Sequence, residues 1–147
     1  MPSKANDIKT AIMADLNALV TAGTLKAAQE IDYSKDALSA DYSAFPVAIL
    51  GMSSVVSQME ENVSNLRTYE FPILILQQGE NINAQTDIED LRDAILNKFD
   101  TDYTLQGTAE GATEPTASPA FTAGTPDKAV IYFVITIKAK ALYLLGT

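Results

Sequence analysis

Apolar residues recur at helical spacing near the start of the chain. The pattern predicts a helix over residues 5–22, which Gly23 ends, because a glycine just past the last periodic residue is a common helix stop. Its apolar face consists of Ile8, Ile12, Leu16, Leu19 and Val20.

A second helix is predicted over residues 86–99. Thr86 and Glu89 have the spacing of a capping box, in which each side chain bonds the backbone of the other residue. Four apolar residues follow at helical spacing, and acidic and amide residues lie between them. The four are Ile88, Leu91, Ile95 and Phe99.

Five further segments have the pattern of strands. Residues 25–33 suggest a short one-sided strand, residues 45–50 a buried strand opened by proline, and residues 103–108 a plausible strand. In residues 66–78 the second half is apolar on both faces. We expect a bulge or a sheet edge near Pro72, since proline cannot donate a ladder hydrogen bond.

The strongest strand pattern is the last one, over residues 128–145. One face carries Ile131, Phe133, Ile135 and Ile137, and the other carries Val130, Tyr132 and Val134 before it turns polar. At about 3.3 Å per residue the run reaches roughly 45 to 60 Å. We therefore expect part of it to extend beyond the core of one subunit.

Three segments have no such periodicity. Residues 34–43 are polar and predict a loop, and residues 52–65 suit either an extended loop or a poor helix. Residues 109–127, rich in Gly, Pro, Thr and Ala, predict a flexible excursion. Together the patterns predict one α+β domain over residues 1–147: a mixed or antiparallel sheet of about four to five strands with two main helices on one face.

Composition excludes several kinds of chemistry. The chain has 147 residues and neither cysteine nor histidine, which removes thiolate nucleophiles, Ser-His-Asp triads and the usual zinc sites. Its formal charge of −9 should repel phosphate backbones, which argues against a nucleic-acid-binding protein. We expect no secretory signal, no membrane span and synthesis in the cytoplasm.

Candidate catalytic groups are limited to oxygen and lysine side chains. Asp100, Asp102 and Glu70 are the residues that a magnesium site would use, although their spacing does not favour one. The glycines form no phosphate-binding motif. The sequence therefore predicts no enzyme activity, no cofactor and no metal, and a small carboxylate-dependent or metal-dependent hydrolase is kept as an alternative.

Acidic residues are concentrated in one quarter of the chain. Between Glu80 and Glu114 there are nine acids and two bases, a local net charge of −7. Such a cluster commonly serves solubility. The alternative interpretation is a surface along which DNA passes without adhering.

The order of these elements resembles that of the tail terminator, or tail completion, proteins of long-tailed bacteriophages. The resemblance rests on the N-terminal helix, the apolar run 45–50, the strand that Arg67 leads, the capped helix at Thr86 and two closing strands interrupted by Thr, Gly and Pro. It covers nearly the whole chain. It offers no catalytic motif.

The resemblance implies a homohexameric ring on the head-proximal end of the tail tube. Its implied partners are copies of itself, the tail tube protein and a head completion or connector protein, with genome DNA passing through the lumen. The implied location is the tail and neck of the virion. Candidate interface residues are Val130, Tyr132, Val134, Phe121 and Pro72, and candidate acidic lumen residues are Glu89, Asp90, Asp93, Glu110 and Glu114.

Two further hypotheses remain beside the terminator and the hydrolase. One is a head–tail connector or another neck subunit. The other is a module that binds a peptide by strand addition along an edge near Pro72.

Overall fold

The computed structural model describes residues 4–34, 45–61, 64–78, 85–123 and 130–144. Both predicted helices are present: α1 spans Lys4–Ala22 and α2 spans Gln85–Thr101. They pack on the same face of one β-sheet, which confirms the predicted α+β class and the placement of the helices.

The end of α1 follows from local hydrogen bonding. Gly23 has a φ of 87°, a left-handed conformation that glycine adopts without steric cost. The N–H of Gly23 donates to the carbonyl of Val20, and the N–H of Thr24 donates to that of Leu19. These two bonds form a Schellman motif, so the predicted stop at Gly23 is confirmed.

Among the described residues the sheet has seven strands rather than the four to five that the sequence predicts. The strand order is β1-β2-β4-β7-β5, and in addition β3 pairs with β4 and β6 pairs with β7. Only β1 and β2 pair in parallel, so the sheet is mixed. The strands are β1 (Ala27–Glu30), β2 (Val47–Leu50), β3 (Ser54–Glu61), β4 (Ser64–Gln78), β5 (Glu114–Ala117), β6 (Phe121–Ala123) and β7 (Val130–Leu144).

Two long strands form the centre of the sheet. β4 and β7 pair antiparallel in unbroken register from Ser64 opposite Leu144 to Gln78 opposite Val130. β2 and β3 lie end to end along the free side of β4, while β5 and β6 lie end to end along the free side of β7. The position beside β4 and the position beside β7 are therefore each shared by two shorter strands.

The main core lies between the helices and one face of the sheet. Register places alternate residues of β4 and β7 on this face, beneath the apolar sides of α1 and α2. The largest buried side chains of this layer include Phe99, Phe133, Ile12, Leu16, Ile73 and Ile135.

The sequence predicts a bulge or a sheet edge near Pro72, but β4 is a central strand there. The irregularity lies in the neighbouring strands, where β2 ends and β3 begins. The N–H of Gly51 donates to the carbonyl of Pro72 at 2.8 Å, so the side of Pro72 that lacks a donor faces the break between β2 and β3. A Cβ on Gly51 would lie 3.0 Å from Cγ of Pro72. The strand-addition hypothesis is wrong in placing a free edge here.

Two other predicted segments need correction. Residues 54–61, within the segment predicted as a loop or poor helix, form β3, because β4 supplies the backbone partner that a polar segment needs. Residues 103–108, predicted as a strand, are turns. Leu105 and Gln106 have positive φ angles of 49° and 60°, which no strand permits.

The predicted excursion at 109–127 contains two short strands. β5 and β6 pair with β7, so much of this segment is held on the sheet despite its lack of periodicity. Residues 124–127 lie outside the described residues, as does almost all of the predicted loop at 34–43.

Within the described residues, neither helix is long and apolar enough to cross a bilayer.

Candidate interaction surface

The sheet face opposite the helices brings all five candidate interface residues together. We call it the outer face and define it by Pro72, Val130, Tyr132 and Val134 of β4 and β7, with Phe121 of β6. Register fixes their side, since Phe121 lies opposite Tyr132 and Pro72 lies opposite Thr136, two residues along β7 from Val134.

An aromatic pair marks the exposed part of the outer face. The ring centroids of Phe121 and Tyr132 are 5.6 Å apart with a tilt of 35°, within the range of favourable aromatic contacts. Phe121 is 49 % exposed although it is a large apolar side chain. A half-exposed aromatic residue held by a second ring is the type of group that anchors protein–protein interfaces.

The outer face is apolar and buried at its β2 end, and it is polar at the end near β5. Val47, Ile49 and Leu76 are buried there in a second, small apolar cluster. At the other end Nζ of Lys138 lies 3.9 Å from a carboxylate oxygen of Glu114. Tyr132 packs against the apolar cluster, whereas Lys138 lies six residues farther along β7, so the aromatic pair borders an apolar patch and is remote from the charged pair.

The structure divides the five acidic candidates between two sides of the sheet. Glu89, Asp90 and Asp93 are on α2, in the helical layer. Glu114 lies on β5 at the outer face, opposite Lys138, and Glu110 is exposed in the segment that precedes β5. Only the three acids of α2 belong to one element, so a single acidic lining would have to be built from that helix.

A polar cluster lies at the border of the main core, near the end of the β4–β7 ladder. The hydroxyls of Tyr69 and Tyr143 are 2.8 Å apart and share a hydrogen bond. The guanidinium of Arg67 lies 4.0 Å from the centroid of the Tyr143 ring, and Nζ of Lys4 lies 5.1 Å from it. Burial, together with the hydrogen bond between Tyr69 and Tyr143, raises the pKa of Tyr69.

We expect Tyr143→Phe to lower the free energy of unfolding by about 0.5–1.5 kcal/mol, the usual net worth of one hydrogen bond. Urea denaturation measures this change. Tyr103→Phe is the matched control, because Tyr103 is 57 % exposed and removal of its hydroxyl should leave stability unchanged. Equal losses in the two variants would contradict a structural role for the tyrosine pair.

Two carboxyl groups meet where α1 crosses the turn after α2. Asp15 is only 4 % exposed, and burial, followed by the neighbouring Asp102, raises its pKa to about 7. Burial disfavours the charged form of Asp102, but hydrogen bonds from Asp15 and Gln106 outweigh this effect and lower the pKa of Asp102. Oδ2 of an ionised Asp15 has no donor among the described residues, whereas a protonated Asp15 can donate to Asp102.

The turn that supplies Asp102 is strained. Leu105, Gln106 and Gly107 all have positive φ angles, and the first two carry side chains that disfavour this conformation. Leu105 is fully buried, and the backbone N–H of Gln106 donates to Asp102 at 2.9 Å. The side-chain amide of Gln106 reaches Asp15 at 3.4 Å, so the strain positions a donor between the two acids.

The sequence interpretation missed Asp15 as a buried acid. A usable signal exists, because Asp15 lies three residues after Ile12 and four before Leu19, inside the apolar stripe of α1. An acid at such a position must be neutralised or paired when the stripe is buried.

The residues considered for magnesium are not assembled into one site. The side chain of Glu70 projects on the outer face, whereas Asp100 and Asp102 belong to the helical layer on the other side of the sheet. Within the described ranges no group of three or more acidic residues is arranged to hold a metal ion.

Comparison with solved structures gives a structural likeness, whereas the two sequence comparisons give none. No protein-family model matches the chain, and no curated protein matches it significantly. A chain of a solved structure described as "Virion of native gene transfer agent (GTA) particle" is similar at a TM-score of 0.47 and 12% identity, over 90% of this chain and 93% of that one. A TM-score below 0.5 at this identity establishes neither a common fold nor a common function.

Proposed function

We propose that the protein is a structural virion component, a tail terminator that forms a sixfold ring on the head-proximal end of a phage tail tube. In this role it ends tube polymerisation and presents the surface on which the head connector docks. The proposal starts from the order of sequence elements, which resembles that family. It requires the chain to work through surfaces that fit copies and neighbours.

The observation that carries the proposal is the aromatic pair on the outer face. Phe121 and Tyr132 stand at the centre of the five candidate interface residues, on the side of the sheet that neither helix covers. A ring needs a heterologous contact, in which one surface of a subunit meets a different surface of the next. An aromatic pair that borders an apolar cluster supplies one half of such a contact.

The acids of α2 are the proposed lining of the lumen. Asp90 and Asp93 are exposed on the helix, and α2 lies on the opposite side of the sheet from the aromatic pair. A subunit that contacts its neighbour through the outer face therefore leaves α2 free to face the lumen. Negative charge facing the channel would let DNA slide without binding, because it repels phosphates.

Assembly with tube protein tests the proposal. The chain is mixed with the tail tube protein encoded beside it, and the products are examined by mass photometry and negative-stain electron microscopy. We expect rings of six subunits and tubes capped at one end, with a shorter mean length than tubes grown alone. Tubes of unchanged length without rings would overturn the proposal, and copurification with filled heads rather than tails would favour a neck subunit.

A further inference from the structure

β3 presents a long backbone edge that nothing in the described part of the chain pairs. Even-numbered residues of β4 direct their polar groups toward β2 and β3, as the bond from Gly51 to Pro72 shows. Ser54, Val56 and Gln58 therefore face β4, opposite Glu70, Thr68 and Leu66. By alternation the N–H and C=O groups of Val55, Ser57 and Met59 point away from the sheet.

The side chains of β3 are also unusually apolar for an edge. Val55 is 53 % exposed, Val56 is 69 % exposed and Met59 is 62 % exposed. Between Ser54 and Met59 the strand has no proline and no lysine, the residues that commonly protect free edges from pairing. Such an edge favours the addition of another strand.

The other edges of the described sheet are blocked or short. β1 has four residues and β6 has three. Of the two outward positions of β5, Pro115 has no N–H to donate, which leaves Ala117 as the one outward donor of this strand. Along the second half of β7, the carbonyl of Lys140 accepts from the N–H of Glu110, and that of Leu142 accepts from Nζ of Lys4. A second copy therefore offers one free edge of matching length, its own β3.

Two β3 strands are complementary when they run antiparallel about Ser57. This register places Val55 of each copy opposite Met59 of the other and uses all three outward donors and acceptors on each strand. A shift of two residues along either strand removes both Val55–Met59 pairings. The register therefore brings Val55 and Met59 of the two copies into contact and satisfies the edge at once.

Charge favours the same arrangement. Glu60 and Glu61 follow Met59 in the sequence, so all the charge of β3 is at one end. Antiparallel pairing about Ser57 places the acids of the two copies at opposite ends of the joint. Parallel pairing would place them side by side, where like charges repel.

We propose that β3 is a self-pairing edge, through which two copies of this chain form a two-fold dimer with one continuous sheet. The dimer goes beyond the proposed ring, because a two-fold contact joins identical surfaces and cannot be repeated head to tail around six subunits. It is a form of the free protein, outside the ring, and it leaves the aromatic pair of the outer face uncovered.

Single cysteines test the register, since the chain has none of its own. In Ser57→Cys the two Cα atoms would lie about 5.5 Å apart, within disulfide range. In the matched control Gln58→Cys they would be offset by two residues and more than about 7 Å apart, too far to bridge. We expect oxidation to give a covalent dimer of the first variant and none of the second.

Ser57→Pro is the second test. It removes an outward donor while leaving the bonds between β3 and β4 in place, so we expect a native circular dichroism spectrum and about a tenfold or larger increase in the dimer dissociation constant. Sedimentation equilibrium measures that constant. A wild type that stays monomeric, or equal oxidation of the two cysteine variants, would overturn the inference.

The two proposals fail separately. If isolated wild-type protein never dimerises while tubes are still capped, only the self-pairing edge is wrong. If the cysteine at position 57 bridges but rings never form with tube protein, only the terminator function is wrong. We expect Ser57→Pro to cap tubes normally.

Discussion

Phe121→Lys is expected to abolish ring assembly while leaving the subunit folded. Phe121 is half exposed and contacts the ring of Tyr132, so its loss costs the monomer about 0.5–1.5 kcal/mol. In an interface the same substitution removes an aromatic anchor and buries a charge, a change of about 2 kcal/mol or more at each contact. Because a ring of six repeats the contact six times, the loss is multiplied.

The measurement is the fraction of tube ends that carry a ring, counted by electron microscopy at equal protein concentrations. Tyr103→Lys is the matched control, since Tyr103 is an exposed aromatic residue in the turn after α2, away from the outer face. We expect this control to assemble as the wild type does. Normal assembly of Phe121→Lys would exclude the outer face from the subunit interface.

Asp15→Asn is expected to stabilise the protein at alkaline pH. The pKa of Asp15 is about 7 in the folded chain, above the value of about 3.9 for an unfolded aspartate. Between these values the folded chain binds the extra proton, so the stability that Asp15 contributes is complete below about pH 4 and is lost as the pH rises through 7. Asparagine is neutral throughout and can still donate to Asp102.

At pH 8 we expect the free energy of unfolding of Asp15→Asn to exceed that of the wild type by about 1–3 kcal/mol, after allowance for screening by solvent. At pH 4 the two should be similar. Urea denaturation across this range measures the difference. Asp93→Asn removes the same charge from an exposed position of α2 and should keep the wild-type slope. An unchanged slope in Asp15→Asn would contradict the protonated carboxyl pair.

The helices and the two long strands could be predicted because their signals are local. Ile8, Ile12 and Leu16 follow one another at helical spacing, and both helices lie within a few residues of their predicted bounds. β7 alternates two apolar faces over much of its length, and the structure confirms it as a long strand. In each case the residues that define the element are also those that it buries.

The short strands could not be predicted because their stability comes from elsewhere. β3 is exposed on both faces, and β5 contains a proline and a glutamate in four residues, so neither has a periodic apolar face. β3 pairs with β4, and β5 pairs with β7, which is more distant in the sequence. The turn at 103–108 was misread as a strand because an alternation of apolar and polar residues does not reveal positive φ angles.

By itself the sequence determined the fold class, the two helices, the central strands and the exclusion of cysteine and histidine chemistry, since these depend on residue type and on spacing within one element. The tertiary structure alone decided that Phe121 meets Tyr132, that the acids of α2 and Glu114 lie on different sides of the sheet, and that Asp15 meets Asp102. Strand register and helix packing set these contacts, because they bring together residues that no local pattern relates.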